Sequence, residues 1–582
     1  MRVLHLESFV LLISLASCTT PASDTSASDA ARATEGEAPR VAYRLSYDPS
    51  ERDPVWRVEL CASGLAHASG LWLELENWGE WLRLDGYYLR ALRSDPPLQR
   101  REEHNRFDVE APAEWDGELR LSYELALAEL GSPARESFGL LPYRAPSYAF
   151  GFAANVLLSL RWEDRPAELE RWIEIVGPTG WTIATGFGPP ARGRLAARIE
   201  ARIENTVISL GEPVASASDA RGAAPIDVVQ WGGERDVAAP LLAFARAYLD
   251  GCTRALGVPP SGALRLIVTE PGAGGTRTDG AIAVGCPDGF DGDANAYTLH
   301  FLAHELFHDW LGGRLKSSEG ERLCWFWEGF TEYLSLWHLT SAGLVSRAWF
   351  AQRLGDCLQT LEENDHWGKL AFADPEVDWR DPSIEPLAYQ GSALLAFALD
   401  VALRQTGKPG LDELVRGLLS GEGGRYSRDS IRAWLVAQGF EAFWQKRFAS
   451  PGRLSPRADL IAVGYQEALE PAPLAYVGLR LDRDGPFGTV VAVDAAGPSA
   501  GLVFVGDRVS GLTPTHEPTS GAEAAAPDFP FGLAYYEPEA EEVRVDLERA
   551  DGHHQVWVRP RRIPGPPRAM LVPGPALDAF FR

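Results

Sequence analysis

The sequence is short of positive charge. Lysine and arginine number 55 against 81 aspartates and glutamates, a formal net charge of −26. Binding to a phosphate backbone needs a basic footprint, so no nucleic-acid partner is expected. Long apolar runs are also scarce: the N-terminal one, Phe9 to Ala16, is too short to span a bilayer. Cysteine is rare, six residues in all with no CxxC pair, which argues against a cysteine zinc site. Beyond Cys18 the remaining five are Cys61, Cys252, Cys286, Cys324 and Cys357. An exported chain could form one or two disulfides from them, but the spacing does not give the pairing. There is no tandem repeat to build a solenoid.

A chain of 582 residues is too long for a single core, and about three to five domains are expected. Residues 1–18 read as an export signal, because a short apolar run leads into Leu15-Ala16-Ser17-Cys18. That tetrad resembles the lipobox of bacterial lipoproteins, whose cysteine is lipidated. The expectation is an exported lipoprotein held to the membrane through Cys18. Thr19, with no aspartate at that place, favours the outer membrane, with the periplasmic face as the alternative. Residues 19–40 are small and polar, a disordered tether.

The overall expectation is an α+β multidomain protein. Residues 41–222 alternate in short apolar runs and predict a β-rich domain, with 215–225 (ASASDARGAAP) as a linker or long loop. From 223 to 455 the period lengthens and mostly helices are expected, and 472–565 return to strands.

The stretch LHFLAHELFHDWLGG (299–313) carries His304 and His308 one helical turn apart, with the Gly312-Gly313 pair as a helix stop. Positions i and i+4 share one face, so both imidazoles can reach one metal while Glu305 takes a proton from its water. With 11 histidines in the chain, chance would produce such a motif on the order of one time in a hundred. A catalytic zinc needs a third protein ligand and one open position. Glu328, in CWFWEGFTEYL, fits as that ligand, and Glu332 one turn on fits as the carboxylate that orients a histidine N–H. Trp325, Phe326, Trp327, Phe330 and Tyr333 crowd Glu328, and a carboxylate in such surroundings needs a partner. His300 shares the face of His304 but would close the site as a fourth ligand, so it is expected to support the site from behind.

HELFHDW, WFWEGFTEYL and SAGLVSRAWFAQRL resemble the glycyl aminopeptidase family of bacterial zinc metallopeptidases, gluzincins related to aminopeptidase N and thermolysin. The resemblance extends to YQGSALLAFALDVALRQTGKPGLDELVRGL (389–418). It implies a thermolysin-like catalytic domain with a helical extension, one zinc per chain, a peptide or protein substrate, and Tyr389 as the donor to the oxyanion. The family also has a Gly-Gly-x-Glu-His strand whose glutamate binds the substrate's amino terminus. Gly274 and Gly275 fit that strand, but Arg277 stands where the glutamate belongs, with Asp279 close by. Arg277 is therefore expected to repel a free amine unless Asp279 neutralises it. Three readings stay open here: an aminopeptidase, an endopeptidase without free-amine recognition, and a degenerate peptide-binding scaffold.

Residues 476–512 resemble a PDZ domain, with Gly478-Leu479 at the loop that caps a peptide terminus. Such a domain could bind a terminus or simply pack.

The anchoring expectation is directly testable. Cys18→Ser should shift the full-length protein from the membrane fraction to the soluble fraction on cell fractionation. A wild-type protein already soluble would refute a lipid anchor.

Overall fold

The computed structural model describes residues 39–581, apart from 67, 76–88, 102–105, 131–140, 164–168, 200–201, 223, 234, 270–273, 286–295, 363, 380, 409, 455, 471–472, 477–478, 483–488, 494–497, 515–533, 536–542, 550–551, 560, 565–567 and 575–579. Cys18, the export signal and nearly all of the tether lie outside the described residues, as does Gly478. The chain divides into two compact units. The larger one holds the described residues up to Val345 and Arg353–Pro456; the smaller one holds Ser346–Gln352 and the chain from Arg457 onward.

The first half of the larger unit is all β. One six-stranded sheet runs in the order Arg194–Arg198, Glu170–Val176, Arg40–Tyr47, Val55–Ser63, Leu119–Ala126, Leu89–Asp95. The alternation of these strands decides which face is buried. Val41, Tyr43, Leu45 and Tyr47 point inward, and Tyr43 lies opposite Leu60, which in turn lies opposite Leu121. The outward residues carry charge, as in the 3.2 Å pair Arg57–Glu124, and such exposed pairs add little stability. A second six-stranded sheet includes Thr182–Thr185, Val207–Gly211 and Tyr148–Phe152. Ile183, Ile208 and Leu210 from it join the core that also holds Trp56, Tyr123 and Leu73.

A five-stranded mixed sheet follows. Ile226–Gln230, Leu264–Thr269 and Ala281–Gly285 are parallel neighbours and nearly wholly buried. The helix Ala238–Leu256 links the first two of them. Both edges are antiparallel: Gly274–Thr278 on one side and Ala215–Asp219 on the other. The second edge corrects the expected linker or loop at 215–225. Its ASASD sequence has none of the bulky apolar residues that mark a strand, and an edge that pairs on one side only does not need them.

Helices then dominate. The histidine helix is Ala296–Phe307, the glutamate helix is Cys324–Ser341, and a single π-helical turn, Leu387–Gly391, leads into the helix Ser392–Gln405. The histidine helix ends at Phe307, short of the glycines expected to stop it. His308 still donates its N–H to the His304 carbonyl at 3.2 Å, and Gly312 makes the turn beyond with φ 106°. No helix among the described residues is long and apolar enough to cross a membrane. Cys61, Cys252, Cys324 and Cys357 form no disulfide.

The smaller unit contains a five-stranded antiparallel sheet, Leu479–Asp482, Thr489–Val493, Arg508–Pro514, Val543–Arg549 and Gly552–Val558 in that order. Its core is small: Leu479, Val490, Val503, Val509, Val545, Leu547 and Val558.

One glycine fixes how the glutamate helix meets the π turn. A Cβ on Gly329 would stand 2.1 Å from the Ser392 Cβ and 2.7 Å from the Ala388 carbonyl oxygen. Gly329→Ala should therefore force the two segments apart at a cost of about 1–3 kcal/mol. A lowered thermal unfolding midpoint is the expected result; an unchanged midpoint would show that the joint yields freely.

Candidate metal centre

Two helices and the π turn bring the chemistry-bearing side chains together. Nε2 of His304 lies 3.0 Å from Nε2 of His308, and Oε2 of Glu328 lies 3.3 Å and 3.2 Å from them. Ligands about 2.0–2.1 Å from one zinc at tetrahedral angles stand roughly 3.3 Å apart, so the three atoms have the spacing of a metal's corner ligands.

The protons support that reading. Nδ1 of His304 donates to Glu332 Oε2 at 3.0 Å, and Nδ1 of His308 donates to the Leu311 carbonyl at 3.0 Å. In neutral imidazoles both Nε2 atoms then carry lone pairs, and these converge with a carboxylate oxygen where all three residues are buried. Three electron-pair donors in one dry spot need a cation between them. The residues thus fit a zinc ion, and no other group of this kind occurs among the described residues.

Without a metal, a proton has to serve. Burial works against a charged His304, but its hydrogen bonds to Glu328 and Glu332 outweigh that and hold it up at about 10. Burial likewise opposes a charged Glu328, yet His308 and His304 bring it down to about 2. Glu332 is held well below the usual carboxylate range: against the cost of burial act His300, Arg353 and His304.

The supporting shell has a clear division of labour. Trp327 donates its indole N–H to Glu328 Oε1 at 3.0 Å, which leaves Oε2 facing the histidines. Arg353 donates to Glu332 Oε1 at 2.6 Å. His300 donates Nε2–H to the Glu332 carbonyl at 2.9 Å, and burial lowers it to about 4. The Tyr389 ring stacks against His304 at a centroid distance of 6.1 Å.

Glu305 is buried beside these ligands, and burial raises it above the ordinary carboxylate value. Its Oε2 accepts the main-chain N–H of Arg277 at 2.9 Å. The Arg277 guanidinium goes elsewhere, to the Glu305 carbonyl at 3.0 Å and to Asp309 at 2.7 Å. Asp309 also accepts from Ser261 Oγ at 2.8 Å. This corrects the expectation that Arg277 would stand unneutralised against a substrate amine: Asp309 neutralises it. Asp279 makes no ion pair with Arg277, though the guanidinium charge acts on it. It sits in the hairpin turn, its N–H donates to the Asn205 carbonyl at 2.8 Å, and burial raises its carboxyl. Gly275 lets the edge strand lie close to the histidine helix, since a Cβ there would meet the Phe301 ring at 2.9 Å. Gly274 begins the same strand. Leu479 belongs to the smaller unit's sheet.

Sequence reasoning missed Arg353, Asp309 and Trp327. Asp309 and Trp327 adjoin motif residues, which was a usable signal. Arg353 reaches the centre only through tertiary packing.

Residues 297–380 match the family of M61 glycyl aminopeptidases, a span that holds His304, His308 and Glu328. An aminopeptidase N family protein from Idiomarina loihiensis has the same fold, with a TM-score of 0.67 at 16% identity over 93% of this chain and 100% of that one. An M1 zinc metallopeptidase from Deinococcus radiodurans aligns with a TM-score of 0.45 at 15% identity, over 72% of this chain and 94% of that one. Yeast LTA4 hydrolase in complex with bestatin gives 0.46 at 13%, over 72% and 68%. None of the curated proteins matches the sequence.

The protonation state of His304 makes zinc binding pH-dependent. Its metal-free pKa is about 10, so at pH 7 the metal must displace a proton. Zinc binding should release about one proton, and affinity should rise roughly tenfold per pH unit until the pH reaches that pKa. Calorimetry in buffers of different ionisation heat measures this directly; zero release would mean that His304 is already neutral.

Proposed function

We propose that the protein is a zinc-dependent peptidase whose metal is held by His304, His308 and Glu328. The observation that carries this reading is the convergence of two Nε2 lone pairs and Glu328 Oε2 beside a buried glutamate anchored by a main-chain N–H. The family match over 297–380 supports peptide hydrolysis as the reaction.

A bound zinc would supply a Lewis acid and a water acidified towards pKa ~7. Glu305 acts as the base. Burial makes it more basic than an exposed carboxylate, and the Arg277 N–H fixes the orientation of one oxygen. The same carboxyl then returns the proton to the leaving amine. Tyr389, stacked on the His304 ring, donates its hydroxyl to the developing oxyanion. Glu332 keeps Nδ1 of His304 protonated so that Nε2 faces the metal, and Arg353 keeps Glu332 ionised.

The chain is further proposed to be exported and held at the membrane by a lipid on Cys18. For residues 472–565 a PDZ-like role is proposed. The strand Leu479–Asp482 lies at the edge of its sheet, which supports pairing with an incoming peptide terminus.

Two variants test the catalytic assignment on the full chain. Glu305→Gln should keep about one zinc per chain while hydrolysis falls at least ~100-fold. His304→Ala should lose both. Retained hydrolysis in Glu305→Gln would move the base elsewhere, and unchanged zinc in His304→Ala would remove the metal assignment.

A further inference from the structure

A peptidase that recognises a free amino terminus needs an anion near the metal. In this chain the edge strand does not supply it. The side chain at 277 is a cation turned onto Asp309, and Asp279 faces Asn205 in a turn. A different carboxylate of the larger unit, Glu385, is buried and enters none of the contacts described above.

Four observations bear on it. Glu385 is 5% exposed, and its Oε1 has no hydrogen-bond partner among the described residues. A buried carboxylate oxygen left without a donor is costly, so such a group is kept for a partner that arrives. Next, Glu385 precedes Tyr389 by four residues, and its own N–H donates to the Asp381 carbonyl at 2.9 Å, so helical bonding is under way at that point. The π turn Leu387–Gly391 begins two residues after Glu385, and residues four apart along a helical coil lie towards the same face. Tyr389 on that face stacks on His304, a metal ligand. Third, the one charge that acts appreciably on Glu385 is Glu328, the carboxylate ligand; together with burial, which is the larger effect, it lifts the Glu385 carboxyl to about 8. The group thus lies within reach of the Glu328 charge, and among the described residues no arginine, lysine or histidine stabilises its own. Fourth, Gly329 seats the π turn directly against the residue after Glu328, so the position of Glu385 is tied to that of the metal ligands.

We propose that Glu385 is the specificity residue that receives the substrate's α-ammonium group, taking over from the strand position now held by Arg277. This rests on the peptidase reading above. The ligand class is a peptide with a free amino terminus. Its ammonium supplies the missing donor and the missing positive charge together, and places the first peptide carbonyl next to the metal ligands. Glu385, protonated in the free enzyme at neutral pH, gives its proton to solvent as the ammonium arrives; it takes no part in breaking the peptide bond, but binds and orients. Arg277, already matched by Asp309, does not oppose this charge.

The test compares glycyl-phenylalanine amide with its N-acetyl form, using the zinc-loaded full chain. Wild type should cleave the free-amine peptide on the order of 100-fold faster in kcat/KM, the scale of a buried charge contact. Glu385→Gln should lose that preference through the free-amine substrate alone, with zinc content and the rate on the acetylated peptide within about threefold of wild type. Glu385→Asp, which keeps the charge on a shorter stem, should retain the preference with a raised KM. An equal fall on both substrates would instead place Glu385 in the chemistry or in water positioning, and would overturn the proposal. So would an unchanged preference in Glu385→Gln, or a wild type with no preference. Should wild type cleave neither peptide, the peptidase reading fails by itself. Calorimetric binding then decides about Glu385: tighter binding of the free-amine peptide that disappears in Glu385→Gln upholds the proposal, and equal binding of the two peptides refutes it.

Discussion

The centre depends on one electrostatic constraint. Glu328 is a carboxylate with almost no access to water, set between two imidazoles whose other nitrogens are already committed. An uncompensated charge there would cost several kcal/mol, so the surroundings have to be built around it. Trp327 takes one oxygen, the histidines take the other, and Glu332 with Arg353 fixes the histidine ring from behind. A cation or a shared proton at the convergence point accounts for the place of each of these partners. The packing follows the same logic. The aromatic wall of the glutamate helix excludes water, and low local dielectric makes every one of these contacts stronger.

How far the sequence revealed this differs from part to part. The spacing of His304 and His308 was legible because helical periodicity is a local property, and it makes i and i+4 neighbours wherever the helix is placed. Glu328 was legible because its aromatic neighbours made a solvated carboxylate untenable. The alternation in Arg40–Tyr47 and Val55–Ser63 was equally local, so a β-rich first half could be read without knowing the strand order. The order itself, in which Arg40–Tyr47 pairs in parallel with Glu170–Val176 far along the chain, leaves no trace in either segment. The edge strand Ala215–Asp219 was missed for a related reason: its pairing comes from a neighbour, not from its own side chains. The direction of the Arg277 side chain was likewise a tertiary fact. Sequence places a cation at that position, but only packing turns it onto Asp309.

The relation of fold to chemistry is also uneven. The likeness to the Idiomarina loihiensis protein extends over nearly the whole chain at 16% identity, so the architecture tolerates wide change in its residues. The family match is confined to 297–380, the span that holds His304, His308 and Glu328. A fold so permissive with a centre so demanding is what is expected when function resides in a site carried by a scaffold.

The hydrogen bond from the Arg277 main chain to Glu305 has a consequence for how such a site can diverge. Every non-proline residue offers the same N–H, so the grip on Glu305 does not depend on what side chain stands at 277. The contact to Glu305 and the identity of the side chain are thereby uncoupled at a single position. What limits exchange there is Asp309, which a neutral or acidic side chain at 277 would leave buried without its guanidinium partner. A change at this strand therefore keeps the Glu305 contact unless it is to proline, but has to be matched at Asp309.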